Sequence, residues 1–116
     1  MDICTVIIPY RSAFPDPLIL TEGTKVRIGH RESDSPGWIW CAIDDGKEGF
    51  IPENFIISDG AIGRLKRSYD ATELTVAVDQ RLVIIEEESG WLYCRNENGK
   101  LGWIPAKVAK LNNPTS

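Results

Sequence analysis

Apolar and polar residues along this chain follow the two-residue period of half-buried strands, and no segment sustains helical periodicity. Val6-Ile7-Ile8, Lys25-Val26-Arg27-Ile28, Trp38-Ile39-Trp40-Cys41-Ala42-Ile43 and Gly49-Phe50-Ile51 read as strands bounded by Gly, Pro, Asp or Ser. A second set follows: Leu74-Thr75-Val76, Arg81-Leu82-Val83-Ile84-Ile85, Trp91-Leu92-Tyr93-Cys94-Arg95 and Leu101-Gly102-Trp103-Ile104. Asp45-Gly46 and Asn98-Gly99 separate the third and fourth strands of each set. They predict hairpins whose two central residues both take positive φ. Asn54-Phe55-Ile56-Ile57 has room for one tight turn. Alternation sets Trp38 and Trp40 on one face of their strand and Ile39 and Cys41 on the other. Cys41 as the small core residue turns Trp38 outward.

The two sets are one pattern written twice. Gly37-Trp38-Ile39-Trp40-Cys41, Gly46-Lys47 and Gly49-Phe50-Ile51-Pro52 return as Gly90-Trp91-Leu92-Tyr93-Cys94, Gly99-Lys100 and Gly102-Trp103-Ile104-Pro105, at a constant offset of 53 residues. Two copies are too few for a solenoid, which needs about three to bury a continuous core. A period of this size is that of a very small independent domain, so the repeat predicts two β modules in tandem, 1–58 and 63–111. Residues 59–62 form a short linker and 112–116 a frayed tail. The stretch from Ser58 to Gly63 spans at most about 20 Å, which keeps the modules within reach of each other. Modules of about 60 residues bury only roughly 60% of their unfolded surface, a further reason to expect them to lean on each other.

Composition changes the picture in three ways. The apolar fraction is 42%, ordinary for a globular protein, and no run approaches a membrane span. The start, Met1-Asp2-Ile3-Cys4, has neither a basic region nor a small-residue cleavage site. Together with three cysteines, an odd number, this predicts a reduced, cytoplasmic setting and buried thiols rather than a disulfide. Residues 1–58 carry nine acids against five bases, a net of −4, whereas 59–116 carry eight of each. An acidic first module excludes nucleic acid, which requires clustered Lys and Arg, and suits a basic peptide. The basic cluster Arg64, Lys66 and Arg67 reads as a solvated strand edge.

Tyr10, Leu18, Glu22-Gly23, Val26-Arg27-Ile28, Gly37-Trp38 and Gly49-Phe50-Ile51-Pro52-Glu53-Asn54-Phe55-Ile56 resemble the Src-homology-3 (SH3) domain family across residues 4–58. The resemblance implies an all-β fold of two SH3-like, five-stranded, partly open β-barrels. It also implies an aromatic groove for proline-rich peptides in the polyproline II conformation. Carried over, the groove of the first module is Tyr10, Trp38, Pro52, Asn54 and Phe55, with Phe50 at its edge. The family has a second tyrosine two residues before the first; here that position is Ile8.

The chemistry supports those residue types. A polyproline II segment has three residues per turn and no internal hydrogen bonds, so aromatic ridges receive its prolines. An indole N–H and a phenolic O–H bond its exposed carbonyls. Trp38 and Tyr10 supply these donors and Asn54 a third. Asp16, Glu32 and Asp34 fall in the two long loops that flank Trp38 in this fold, placed to pair with a basic residue of the ligand.

The second module resembles the family less closely. Its first long loop is three residues shorter, and Lys107-Val108 stands where the first copy has Asn54-Phe55. A second groove would keep Tyr69, Trp91, Trp103 and Pro105. Trp40 and Tyr93, repeat equivalents on the outer face, predict a contact surface, with the other module as its nearest occupant.

No catalytic or metal-ligating constellation is visible. His30 has no Cys or acid at ligand spacing, and there is no Gly-rich phosphate loop or nucleophile motif. The expectation is a cytoplasmic interaction module without cofactor, not an enzyme, that binds a proline-rich peptide or protein partner through its first domain. Two alternatives are a bacterial-type module for cell-wall peptide or glycan, and a structural tandem that docks a protein surface.

Overall fold

The computed structural model describes residues 2–13, 16–31 and 36–112. Twelve strands are present among them: β1 (Asp2–Val6), β2 (Ile19–Leu20), β3 (Lys25–Arg31), β4 (Trp38–Ala42), β5 (Glu48–Pro52), β6 (Ile56–Asp59), β7 (Ile62–Leu65), β8 (Tyr69–Asp70), β9 (Arg81–Glu88), β10 (Trp91–Arg95), β11 (Leu101–Pro105) and β12 (Ala109–Asn112). Short 3-10 turns at Glu53–Phe55 and Ala106–Val108 precede β6 and β12. The strands form two five-stranded sheets, ordered β5-β4-β3-β7-β6 and β11-β10-β9-β1-β12, and a small ribbon of β2 and β8. The fold is all-β, two partly open SH3-like barrels, as the sequence predicts.

The compact units are not the two contiguous halves of the repeat. One unit, the Trp38 barrel, is Asp16–Ala71; the other, the Trp91 barrel, joins Met1–Pro15 to Thr72–Ser116. The two sheets have the same order, and β1 and β7 occupy the same slot in them. Each therefore sits in the barrel built mainly from the other copy. Strand β7, which opens the second copy, pairs with β3 and β6 of the first. Strand β1, which opens the first copy, pairs with β9 and β12 of the second.

The connection explains the exchange. Residues 59–62, expected as a free linker, make a hairpin in which Asp59 pairs with Ile62 and Gly60 lies at φ +71°. Positive φ at the first central residue alone is the pattern of a type II′ turn, whose twist suits adjacent antiparallel strands. A two-residue loop closes at little entropic cost, which favours β7 over a distant strand in the place beside β6. The equivalent place beside β12 is filled by β1. In topological terms, Asp16–Ala71 is a circularly permuted barrel inserted into the first long loop of the other.

Each core is built from the strands it holds. In the Trp91 barrel, Cys4 and Val6 of β1 are fully buried with Leu74, Val76, Leu82, Leu92, Cys94, Ile104 and Val108. Burial of a side chain such as Val6 stabilises by about 1.5–3 kcal/mol. In the Trp38 barrel, Leu65 of β7 is buried, as are Val26, Ile39, Cys41, Ile51 and Phe55. Gly49 and Gly102 are repeat equivalents at tight contacts. A Cβ there would come within 2.7 Å of Leu18 and 2.8 Å of Leu74, so neither position admits a side chain without displacement.

The hairpins at Asp45-Gly46 and Asn98-Gly99 differ from the predicted form. Only the glycines have positive φ. Gly46 N–H donates to Ile43 O at 3.0 Å and Ile43 N–H to Lys47 O at 3.0 Å, and Asn96–Lys100 repeats this pattern. These are three-residue loops, a turn followed by a left-handed glycine, not two-residue hairpins.

Candidate functional site

The exchange redistributes the residues assigned to the first groove. Trp38, Phe50, Pro52, Asn54 and Phe55 lie in the Trp38 barrel together with Asp16, but Tyr10 lies in the Trp91 barrel. Tyr69 takes its place. Its ring meets Phe55 edge to face at 5.6 Å, and its hydroxyl donates to the Phe50 carbonyl at 3.4 Å. Trp38 is in register with Pro52, and Glu53 N–H donates to Gly37 O at 2.7 Å, which fixes the turn carrying Asn54 beside the indole strand.

This strip is closed. Trp38, Phe55 and Tyr69 are 7%, 3% and 5% exposed. The outward-facing indole expected from alternation is thus buried, although Ile39 and Cys41 fill the opposite face as predicted. Both faces of β4 are covered at its start. Asn54 is exposed. Asp16 is exposed and lies 3.7 Å from Lys47 Nζ. Glu32 and Asp34 lie outside the described residues.

The Trp91 barrel gains what the other lost. Tyr10 meets Trp91 edge to face at 6.1 Å, and both rings are half-buried. The Tyr10 hydroxyl donates to Glu73 Oε1 at 2.7 Å, and Ala13 N–H donates to the same oxygen at 2.9 Å. Ser12 N–H donates to Thr75 Oγ1 at 3.1 Å, and Tyr10 bridges Val76 through its backbone. Burial, then the hydrogen bond and charge of Glu73, push the Tyr10 hydroxyl pKa well up. Glu73 is a site residue that the sequence did not reveal. Its carboxylate is 63 positions from Tyr10, and only the exchange brings them together.

Of the other residues of the second groove, Pro105 is in register with Trp91 and Trp103 lies in the same barrel, whereas Tyr69 lies in the Trp38 barrel. Pro105 and Trp103 are buried, and Lys107 is exposed. Trp103 lies under Tyr93, ring centroids 5.0 Å apart. Trp40 stacks on His30 at 6.0 Å and meets Phe50 edge to face at 4.9 Å. Both outer-face aromatics, Trp40 and Tyr93, therefore have ring partners inside their own barrels. His30 is an exposed residue of β3.

The exchange also moves charge. Arg64, Lys66 and Arg67 join the acidic first-copy residues, so Asp16–Ala71 carries ten acids against seven bases, a net of −3. Lys66 N–H donates to Phe55 O at 2.8 Å, and the Arg67 guanidinium lies over the Phe55 ring, 4.2 Å from its centroid. Among the described residues, no group of three or more His, Cys, Asp or Glu could hold a metal ion.

Small barrels with an aromatic strip beside a Pro-containing turn define a class of protein-interaction module. The variant SH3 domain family matches residues 4–57 and the SH3 domain family residues 68–106, so the chain belongs to the SH3 domain family, in two copies. The chain is similar to the actin cytoskeleton-regulatory complex protein SLA1 of Mycosarcoma maydis, at 27% identity over 132 residues, 90% of this chain and 11% of that protein. It is also similar to the SH2/SH3 adapter protein dreadlocks of Drosophila melanogaster, at 27% identity over 127 residues, 90% of this chain and 23% of that protein. The chain thus spans a small part of the length of either relative. No solved structure matches. The family matches follow the sequence repeat, whereas the barrels follow the exchange.

Proposed function

We propose that the protein is an intracellular interaction module for proline-rich peptides, and that a peptide carrying a basic residue docks on the Trp91 barrel. The observation that carries this reading is the pair of half-buried rings, Tyr10 and Trp91, beside the Glu73 carboxylate. Two rings at right angles form a notch for a proline, and the indole N–H suits a peptide carbonyl. Glu73 has one oxygen engaged by Tyr10 and Ala13, and its charge favours Arg or Lys beside the prolines. The relatives, a cytoskeleton-regulatory protein and an adapter, support an intracellular partner.

A second groove is proposed on the Trp38 barrel, where Tyr69 takes the place that Tyr10 would hold without exchange, beside Pro52, Asn54 and Phe55. Its buried rings require local opening before a peptide can seat.

Titration of the full chain with an Arg-containing proline-rich peptide tests the assignment. Expected affinity is about micromolar, roughly −8 kcal/mol, because a short extended ligand offers few anchors. Trp91→Ala should remove roughly 2–4 kcal/mol of it, as truncation of a central aromatic anchor does. Glu73→Gln should weaken it less, by an amount that shrinks with salt. Unchanged binding by Trp91→Ala would move the site to Trp38, and no binding by any form would leave only docking of a protein surface.

A further inference from the structure

The strand register arranges the outer face of β3, β7 and β6 in rows. Lys25 stands opposite Arg64, and Arg64 opposite Ile57; in the next row Arg27 stands opposite Ile62, and Ile62 opposite Asp59. All six residues are exposed. Like charges directly opposite each other on one sheet face are destabilising, and Lys25 and Arg64 are such a pair. Ile57 and Ile62, diagonal neighbours beside them, are 63% and 38% exposed.

The Trp91 barrel shows that the fold does not require this arrangement. There β1 fills the slot of β7, and the row that matches Lys25, Arg64 and Ile57 reads Arg81, Thr5 and Lys110. Thr5 separates the two cations and donates its hydroxyl to Asn112 Oδ1 at 3.0 Å. In the Trp38 barrel, Arg27 is paired with Asp44 at 2.9 Å, and Arg64 gives one N–H to Gly23 O at 3.1 Å. A guanidinium has five N–H donors, so others remain on Arg64.

We propose that the outer face of β3, β7 and β6 docks an acidic, partly apolar segment of a partner protein, with an Asp or Glu at Lys25 and Arg64 and an aliphatic side chain at Ile57 and Ile62. A carboxylate between the two cations turns their repulsion into a shared, charge-assisted attraction. Arg64 and Ile62 lie two residues apart on β7, about 7 Å along the strand. An extended segment of the pattern acid-x-aliphatic presents its side chains on one face at the same spacing. The barrel as a whole carries a net charge of −3, which opposes a broad anionic surface such as a membrane. A single carboxylate seated at the pair is dominated by its nearest charges, because screening removes the more distant ones.

The test titrates the isotope-labelled full chain with a peptide repeating Glu-Thr-Val-Thr, and with the same peptide carrying Lys for Glu. The amides of Ile57, Ile62 and Arg64 should shift with the acidic peptide. It should bind roughly five- to ten-fold more tightly than the basic one, by a margin that falls as salt rises. Arg64→Thr, which installs the residue of the equivalent slot, should remove most of that margin. Its urea midpoint should hold or rise, since a like-charge pair is lost. Ile57→Thr with Ile62→Thr should weaken the acidic peptide at high salt as well as low. Equal binding of the two peptides, or a margin unchanged in Arg64→Thr, overturns the proposal. A clear fall in the urea midpoint of Arg64→Thr would show that Arg64 serves the fold, and overturns its assignment to a partner. Loss of these amide signals on phosphatidylserine vesicles, with no response to the peptide, overturns the protein partner in favour of a membrane.

Discussion

At the residue scale, burial sets the chemistry of Cys41. The side chain is 1% exposed, and desolvation pushes its pKa from 9.0 up to about 11. The folded state therefore holds the neutral thiol at pH values where an unfolded chain releases the proton. A group with a raised folded pKa stabilises fully below its unfolded value and loses that contribution as pH rises through the folded value. Between about pH 9 and 11, Cys41 alone should remove on the order of 2–3 kcal/mol of stability. Tyr10, shifted the same way, adds to the loss at higher pH. Urea denaturation across this window should show the decline, and Cys41→Ala should flatten it. An equally steep decline in Cys41→Ala would place the cause elsewhere. The identity of Cys41 as a core residue was legible from alternation. The burial of Trp38 was not, because alternation gives two faces and says nothing about what lies over each.

At the element scale, one turn decides which strand completes which barrel. β1 and β7 present equivalent patterns, with Val6 and Leu65 both buried in the slot they fill. The alternation of buried positions is the same in both, so the hydrophobic pattern could not reveal the exchange. Packing differs at one position: β7 has Gly63 opposite Val26 where β1 has Cys4 opposite Leu82, and a Cβ at Gly63 would come within 2.7 Å of Ile56. The connection also distinguishes them, and its signal was present in the sequence as six residues from Ser58 to Gly63 with a central glycine. Read as a tether, it implied separate modules; read as a hairpin, it implies shared ones. Gly60 carries the turn at φ +71°, and a Cβ there would meet no atom within 4 Å, so substitution is a matter of backbone strain rather than collision. Gly60→Val should cost about 1–2 kcal/mol, since a branched residue is strained in the left-handed region. Urea midpoints measured at constant slope would report it. A neutral result would mean that the turn can change type while β6 and β7 stay paired.

At the scale of the whole molecule, the boundaries visible in sequence and those of the folded units answer different questions. The repeat and the family matches, 4–57 and 68–106, mark what was duplicated. The strand ladders mark what folds together, and they cross between copies. A protease site placed at the Gly60–Ala61 turn and cut after folding separates the two readings. Contiguous modules would be joined by this peptide bond alone, and the halves would part in native buffer. In the exchanged fold, the fragment 1–60 leaves β1 inside the Trp91 barrel, paired on both sides with β9 and β12 and burying Cys4 and Val6. The fragment from residue 61 leaves β7 inside the Trp38 barrel, paired with β3 and β6. Release of either fragment requires both ladders to break and both cores to open. The nicked protein should therefore elute from a sizing column at the position of the intact chain and divide into two fragments only in denaturant. Two separately eluting fragments in native buffer would show that each copy keeps its own first strand. Tyr10 would then belong with Trp38, and the groove assignment given to Glu73 would fall with it.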